Sequence, residues 1–244
     1  MRKLLAIWQR ELQAAFLSPI GYIAVALFLA LSGWTFLYSV EAKAGEEEPL
    51  AGILVVSIGI WLPFLVTVVC MRLFAEERRS GSLEALLSTP VSDWQVVLGK
   101  YGGAMTLLLA AILPAMAVAF PLQSMSTTLE SVDAGGLAGG LVLVVLLTAM
   151  CTSIGLLTSL LTSNQIVAAI ACFAAVCAPF LVEPAARLMP PVTEDVLLAL
   201  SIEHHLSMCV RGVIPVWLVW LYVSVALFFL FAATRVLAAR RWLG

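Results

Sequence analysis

The chain has 244 residues, of which 62% are hydrophobic and only 11% are charged, with a formal net charge of −2. A soluble domain carries about 25% charged residues, so this composition excludes a water-soluble globular domain and predicts an integral membrane protein. It provides no basic surface for nucleic acid, and the five cysteines, with no C-x-x-C motif among them, are expected to be small buried hydrophobes.

Residues 1–17 predict an amphipathic helix that lies in the membrane interface. Apolar side chains recur at helical spacing along one stripe, formed by Leu4, Leu5, Trp8, Leu12, Ala15 and Phe16. Basic and amide side chains lie off this stripe, at Arg2, Lys3, Arg10 and Gln13. A helix with this distribution lies along the interface and leads into the first span. The alternative is that the segment simply extends that span.

Six apolar segments follow, and each is near the ~20 residues that a helix needs to cross the hydrocarbon core. They cover about 20–38, 53–71, 97–122, 137–161, 166–182 and 213–237. Ser18 and Pro19 supply an N-cap and a first-turn proline for the first span, and Ser92 with Gln95 fits a capping box before the third. The sequence therefore predicts a single all-α transmembrane domain over 1–244.

The distribution of basic residues predicts the orientation. Ten lie on one side of the predicted spans: Arg2, Lys3, Arg10, Arg72, Arg78, Arg79, Lys100, Arg235, Arg240 and Arg241. Three lie on the other: Lys43, Arg187 and Arg211. Because cytoplasmic loops carry the excess of Lys and Arg, both termini and the loop after the second span are predicted to be cytoplasmic. The other face is acidic.

The predicted spans carry no ionisable residue near their middle. Lys100 and Glu183 lie at span edges, where their charged ends are expected to reach the interface. Proton- or ion-coupled carriers usually need intramembrane charges, so a self-powered secondary transporter is disfavoured. No phosphate-binding loop or nucleophile–base pair is present, and the Glu-His-His run at 203–205 points in different directions on a helix. A membrane-embedded enzyme is therefore poorly supported, and no catalytic, cofactor or metal site is expected in this chain.

Small residues predict close helix contacts at two places. Gly135, Gly136, Gly139 and Gly140 form two overlapping small-x-x-x-small pairs at the start of the fourth span. They favour packing within the chain or at a dimer interface equally. The glycine pair at 102–103 predicts a close helix contact in the same way, but more weakly.

A charged segment at 74–90, FAEERRSGSLEALLSTP, separates the second and third spans. Six charges fall between Arg72 and Glu84, and each would cost on the order of 3 kcal/mol in the hydrocarbon core. The segment therefore lies outside the bilayer.

This segment also predicts a short helix with an apolar face. Leu83, Leu86 and Leu87 follow the i, i+3, i+4 pattern, Gly81 precedes them and Pro90 ends the helix. Burying each leucine is worth roughly 2 kcal/mol, which favours docking onto a soluble partner. The alternatives are that these leucines lie on the membrane surface or against the N-terminal helix.

The string EERRSGSLEALLSTP at 76–90 resembles the cytoplasmic motif of ABC-2 type transporter permeases, E-x-x-x-G-[ST]-L-E-x-L-L-x-x-P. The six spans, cytoplasmic termini and interfacial helix are also similar to that family. The region 205–242, with R-G-V-I at 211–214 and A-R-R-W at 239–242, resembles the gliding-motility-type subfamily. The resemblance covers essentially the whole chain.

The resemblance implies that the segment 74–90 contains a coupling helix that docks on an ATPase. Carried over residue by residue, the transmission element is Glu76, Glu77, Arg78, Gly81, Leu83, Glu84, Leu86, Leu87 and Pro90. Glu84 and the arginines would make polar contacts with the ATPase, the leucines would fill its surface groove, and Gly81 would permit the turn that aims the helix.

The resemblance further implies the permease subunit of an ATP-driven transporter, with export as the expected direction. The partners would be a cytoplasmic ABC ATPase that binds ATP and Mg, a second permease copy or paralogue, membrane lipids and a periplasmic accessory protein. The expected location is the bacterial inner membrane. The alternative is a mechanotransmitter or anchor that uses ATP-driven motion to act on a periplasmic or surface partner without passing substrate.

The external segment at 183–212 predicts a helix before the last span. Thr193 would cap a helix over 194–209, with Val196, Leu200 and Leu206 facing apolar surroundings. This region resembles the short re-entrant helices of ABC-2 permeases, and an ordinary amphipathic cap is an equal alternative.

Overall fold

In a computed structural model the chain is a helical bundle, and the structure describes residues 2–43, 49–83, 91–118, 134–186, 197–210 and 215–243. The helices are α1 Arg2–Leu17, α2 Pro19–Ala42, α3 Leu50–Cys70, α4 Ala75–Ser80, α5 Asp93–Ala117, α6 Ala134–Leu161, α7 Gln165–Cys177, α8 Val182–Ala186, α9 Ile202–Val210 and α10 Val216–Leu243. A 3-10 turn, Ala178–Phe180, follows α7. The described ranges contain no strand, so the predicted all-α class is confirmed.

Within the described residues, five helices are long and apolar enough to cross a membrane: α2, α3, α5, α6 and α10. The fifth predicted span corresponds to α7 and the 3-10 turn after it, which form a shorter apolar element over Gln165–Phe180. These helices establish an integral membrane protein. Five full-length candidates and one shorter element therefore stand where six spans are predicted.

α3 and α6 form the centre of the bundle, whereas α2 and α10 are the most exposed of the candidate spans. Glycines let α6 approach α3 closely. A Cβ atom on Gly140 would lie 2.3 Å from Val55 Cγ2, and one on Gly155 would lie 2.6 Å from Cys70 Cβ. Gly136 and Gly139 are buried as well. Gly140 therefore packs within the chain, which is one of the two interpretations of this glycine run.

α1 is a separate helix and not an extension of the first span. Ser18 breaks the helix with extended backbone, and Pro19 begins α2 as predicted. The buried face of α1 differs from the predicted stripe, because Ile7 is its most buried described residue while Leu5 and Phe16 are exposed. The reason is that α1 packs on α5 through a face that includes Ile7, Trp8 and Glu11, which leaves Leu5 and Phe16 outside.

The helix predicted over 194–209 is not continuous. Residues 197 and 198 are helical, a turn follows at 199–200, and α9 starts at Ile202. There the Ser201 hydroxyl accepts a hydrogen bond from the His204 N–H at 3.2 Å. Leu206 is buried as expected and contacts α3 at Gly59, whereas Leu200 is exposed. The predicted cap Thr193 and Val196 lie outside the described residues.

Candidate functional site

The basic end of the bundle brings together parts of the chain that are far apart in sequence. The Arg241 guanidinium lies 3.1 Å from the Asp93 carboxylate at the start of α5. Arg240 Nη2 donates to the Leu161 carbonyl at the end of α6, at 3.4 Å. α1 also packs against the first half of α5. Both ends of the described chain therefore lie at the end of the bundle that carries the segment 71–83.

Three glycines form the surface of α5 that receives α1. A Cβ on Gly99 would lie 2.8 Å from Ile7 Cγ2, one on Gly102 3.1 Å from Trp8 Cδ1, and one on Gly103 2.6 Å from Glu11 Cβ. Any larger residue would push the two helices apart. The glycine pair at 102–103, which predicts a close helix contact only weakly, therefore belongs to the contact between α1 and α5.

Lys100 lies inside this contact and is only 1% exposed. Its Nζ donates to Glu11 Oε1 at 2.8 Å and to the Leu73 carbonyl at 2.7 Å, and lies 3.0 Å from Glu77 Oε2. The same ammonium lies 5.0 Å from the centre of the Phe74 ring. The expectation that Lys100 reaches the interface is wrong, because partners inside the protein satisfy its charge.

Arg10 completes a four-charge cluster with Glu11, Glu77 and Lys100. Its guanidinium contacts the carboxylate of Glu77 and lies 3.3 Å from Glu11 Oε1. Two cations face two carboxylates, so the cluster is neutral. Because Arg10 and Glu11 belong to α1, Glu77 to α4 and Lys100 to α5, the cluster ties three helices together by charge.

α4 is fixed to the end of α6 as well. The backbone N–H groups of Phe74 and Ala75 both donate to Ser159 Oγ, at 3.0 and 3.1 Å. Arg78 Nη1 donates to the Leu160 carbonyl at 3.1 Å. Phe74 is fully buried. The base of the charged loop is therefore attached to the central helix of the bundle and does not hang from α3 as a free linker.

The predicted transmission residues occupy different environments. Gly81 ends α4 with φ 72°, a left-handed conformation that glycine adopts without strain. Leu83 is only 6% exposed and packs into this chain's own core. Glu76 is exposed and pairs with Arg72, with Nε and Oε2 2.9 Å apart. Glu84, Leu86, Leu87 and Pro90 lie outside the described residues.

The site thus combines predicted and unpredicted residues. Glu77 and Arg78 make the contacts that hold α4 in place, whereas Arg10, Glu11 and Lys100 were not predicted to take part. One sequence signal points to Glu11, which is the only acidic residue before Glu41. An isolated carboxylate in a basic interfacial helix needs a cationic partner.

This arrangement can transmit motion. A charge that is buried without its partner is strongly destabilising, so the cluster resists any movement that separates α4 from Lys100. The cluster therefore favours keeping α4 in contact with α1 and α5. Within the described ranges, no three His, Cys, Asp or Glu side chains are grouped closely enough to hold a metal ion.

A comparison with protein families gives one match. The model of a family described as ABC-2 family transporter protein matches residues 35–234. The match spans most of the chain and includes the charged loop, α5 and the central helices. No protein of curated function matches the chain.

Proposed function

Because the chain belongs to the ABC-2 family of transporter proteins, in which a membrane permease subunit works with an ABC ATPase, we propose that it is an export permease of the bacterial inner membrane. The observation that carries this proposal is the family match together with a charged loop anchored by buried ion pairs. Neither the substrate nor the gliding-motility-type subfamily is part of it.

The proposed orientation places the end of the bundle that carries the charged loop in the cytoplasm. The ten-to-three distribution of basic residues supports this, as does the contact of Arg241 with Asp93 at the same end. In this orientation the ATPase approaches the segment 74–90. A second permease copy or a paralogue completes the pathway, and a periplasmic accessory protein would meet the acidic outer face.

The proposed mechanism is mechanical. When the ATPase binds ATP and Mg, it displaces the coupling segment, formed by Glu76, Glu77, Arg78, Gly81, Leu83, Glu84, Leu86, Leu87 and Pro90. The four-charge cluster passes this displacement to α1 and α5, and the hydrogen bonds that Ser159 and Leu160 accept from Phe74 and Arg78 pass it to α6. The spans then tilt as rigid bodies around the substrate pathway.

Leu87→Asp tests the docking step, since Leu87 is a predicted contact and Leu83 is buried within the chain. The protein is co-expressed with candidate ABC ATPases, and co-purification and ATPase stimulation are measured. Losing roughly 2 kcal/mol of buried leucine corresponds to a roughly 30-fold loss of affinity. Leu200→Asp, at the opposite end of the bundle and exposed, is the matched control. Equal association of both variants would contradict the proposed docking surface.

A further inference from the structure

A groove opens on the side of the bundle where α1, α2, α3 and α5 meet at the basic end. Two adjoining cavities of about 110 and 80 Å³ form it. Ala15, Gly21 and Leu107 line both cavities, so the two are continuous. Of the four-charge cluster, only Glu11 reaches the wall. Apart from Glu11 and Glu76, the described residues given a coupling role above do not line this groove.

One end of the groove is polar and accessible. Arg72 and Glu76 line it, with side chains 29% and 48% exposed. Arg72 donates from Nη1 to Ser18 Oγ at 2.7 Å, and from Nε and Nη2 to the Glu76 carboxylate at 2.9 and 3.3 Å. These bonds use three of the five guanidinium N–H groups. Among the contacts of the described residues, two N–H groups are therefore left for a further acceptor at the mouth of the groove.

The other end is apolar and runs along the spans. Tyr22, Val25, Ala110 and Ala111 line it together with Leu107. Along α5 the wall extends from Gly103 to Ala111, or about 12 Å at 1.5 Å per residue. The hydrocarbon core is about 30 Å thick, so the groove stays within one leaflet. An occupant enters sideways from the leaflet at the basic end.

The charges at the mouth are balanced. Arg72 faces Glu76, and the negative charge of Glu11 is already paired with Lys100 and Arg10. A purely anionic head group would meet Arg72 and two carboxylates. A head group with a phosphate and an ammonium would place its phosphate on Arg72 and its ammonium on Glu76, so each charge meets its opposite.

We propose that this groove binds one phospholipid whose head group carries both a phosphate and a primary ammonium, the chemistry of phosphatidylethanolamine. The phosphate accepts hydrogen bonds from Arg72, and the ammonium donates to Glu76. One acyl chain lies along α5 against Leu107 and Ala111. This lipid would fill the angle between α1 and the first span, which makes it a structural ligand and not the transported substrate.

Native mass spectrometry of the full purified chain tests the proposal, with phosphatidylethanolamine, phosphatidylglycerol and phosphatidylcholine added in separate arms. We expect one phosphatidylethanolamine molecule to remain bound to the native chain. The variant Ala110→Phe, whose larger side chain fills the groove, is expected to lose this lipid. Ala30→Phe is the matched control, because Ala30 is also exposed on a span but does not line the groove. Ala14→Phe is a second variant, which blocks the mouth of the groove from an exposed position on α1. It replaces Ala110→Phe in the test if Ala110→Phe does not fold.

Arg72→Gln tests the head-group contact, with the exposed Arg79→Gln as its control. Losing a charge-assisted hydrogen bond of about 1.5 kcal/mol or more is expected to reduce retention roughly tenfold. Equal retention of the three lipids, a preference for phosphatidylglycerol, or an unchanged lipid in the groove-filling variants would each overturn the proposal. Loss of ATPase association in the Leu87→Asp test leaves this result unaffected, so the two proposals fail separately.

Discussion

Lys100 is the residue on which α1, α4 and α5 converge. An ammonium that is 1% exposed would be strongly unfavourable alone. Here it has two carboxylates, a carbonyl and an aromatic face around it. Lys100 therefore stabilises the protein only when α1, α4 and α5 are all in place.

Replacing Lys100 with Met is expected to lower the free energy of unfolding by about 3 kcal/mol or more, because Glu11 and Glu77 then lose their buried cation and keep only the more exposed Arg10 as a partner. The melting temperature of the purified chain in detergent measures this loss. Lys100→Met combined with Glu11→Gln and Glu77→Gln should recover much of it, since the only charge left in the cluster is that of Arg10, whose side chain is 54% exposed to solvent. A triple variant as unstable as the single one would show that lost packing, and not charge, is the cause.

His205 is a second buried titratable residue, at the opposite end of the bundle. Its Nδ1 lies 3.0 Å from Tyr222 Oη and its Nε2 3.2 Å from the Ala199 carbonyl. Burial lowers the pKa of His205 below its usual 6.5, while the bond to Ala199 partly opposes the shift and His204 adds to it. The folded protein therefore favours the neutral ring.

The lowered pKa of His205 predicts a pH dependence of stability. The unfolded chain binds this proton more readily than the folded one, so the contribution of His205 is complete above about pH 6.5 and falls as the pH drops below it. We expect the melting temperature of the native chain to fall more between pH 7.5 and 5.5 than that of His205→Gln, which hydrogen-bonds but does not titrate. Parallel pH profiles for the two proteins would contradict this assignment.

At the scale of single elements, the contact between α1 and α5 depends on glycine. Gly99→Ala places a methyl group 2.8 Å from Ile7 Cγ2 and 3.4 Å from the Leu4 carbonyl. We expect a loss of about 1–3 kcal/mol from overpacking. Gly33→Ala is the matched control, since a Cβ there meets nothing within 4 Å and alanine is favoured over glycine in a helix by about 1 kcal/mol. Equal melting temperatures for the two variants would show that α1 is not tightly held.

Sequence periodicity predicted the existence of the interfacial helix but not the face it buries. Spacing identifies the apolar side chains, and Leu4 and Trp8 do pack inward, partly buried. α1 buries Ile7 and Glu11, and not Leu5 and Phe16, because α5 presents a glycine surface and a buried lysine to it. That information lies about 90 residues away in sequence, so no local pattern contains it.

For the whole molecule, composition and span length were sufficient to predict the class, and the Ser18–Pro19 and Ser92 signals marked two helix starts correctly. α3 and α6 are the most apolar of the five candidate spans, but α10 is nearly as apolar and mostly exposed, so apolarity alone does not predict which helices are central. The ion pairs of Lys100 could not be predicted either. A lysine at a span edge can place its ammonium in the membrane interface or against a buried carboxylate. Only the tertiary arrangement determines which of the two occurs.

The proposed orientation makes a prediction for the whole chain in its membrane. Alkaline phosphatase, which is active only outside the cytoplasm, is expected to be active when fused after residue 45 and inactive when fused to the C-terminus. A fluorescent protein at the C-terminus should give the reverse result. Phosphatase activity in the C-terminal fusion would contradict the proposal that the charged loop lies in the cytoplasm.

The four-charge cluster also constrains how such a protein can change over time. Its charges sum to zero across three helices, so a single substitution in one helix creates a defect that the other two must correct. We expect relatives that lose the lysine at position 100 to lose an acidic residue at position 11 or 77 as well. The interfacial helix and the coupling segment are therefore expected to evolve as one unit, and a chimera that exchanges only one of them should fold poorly.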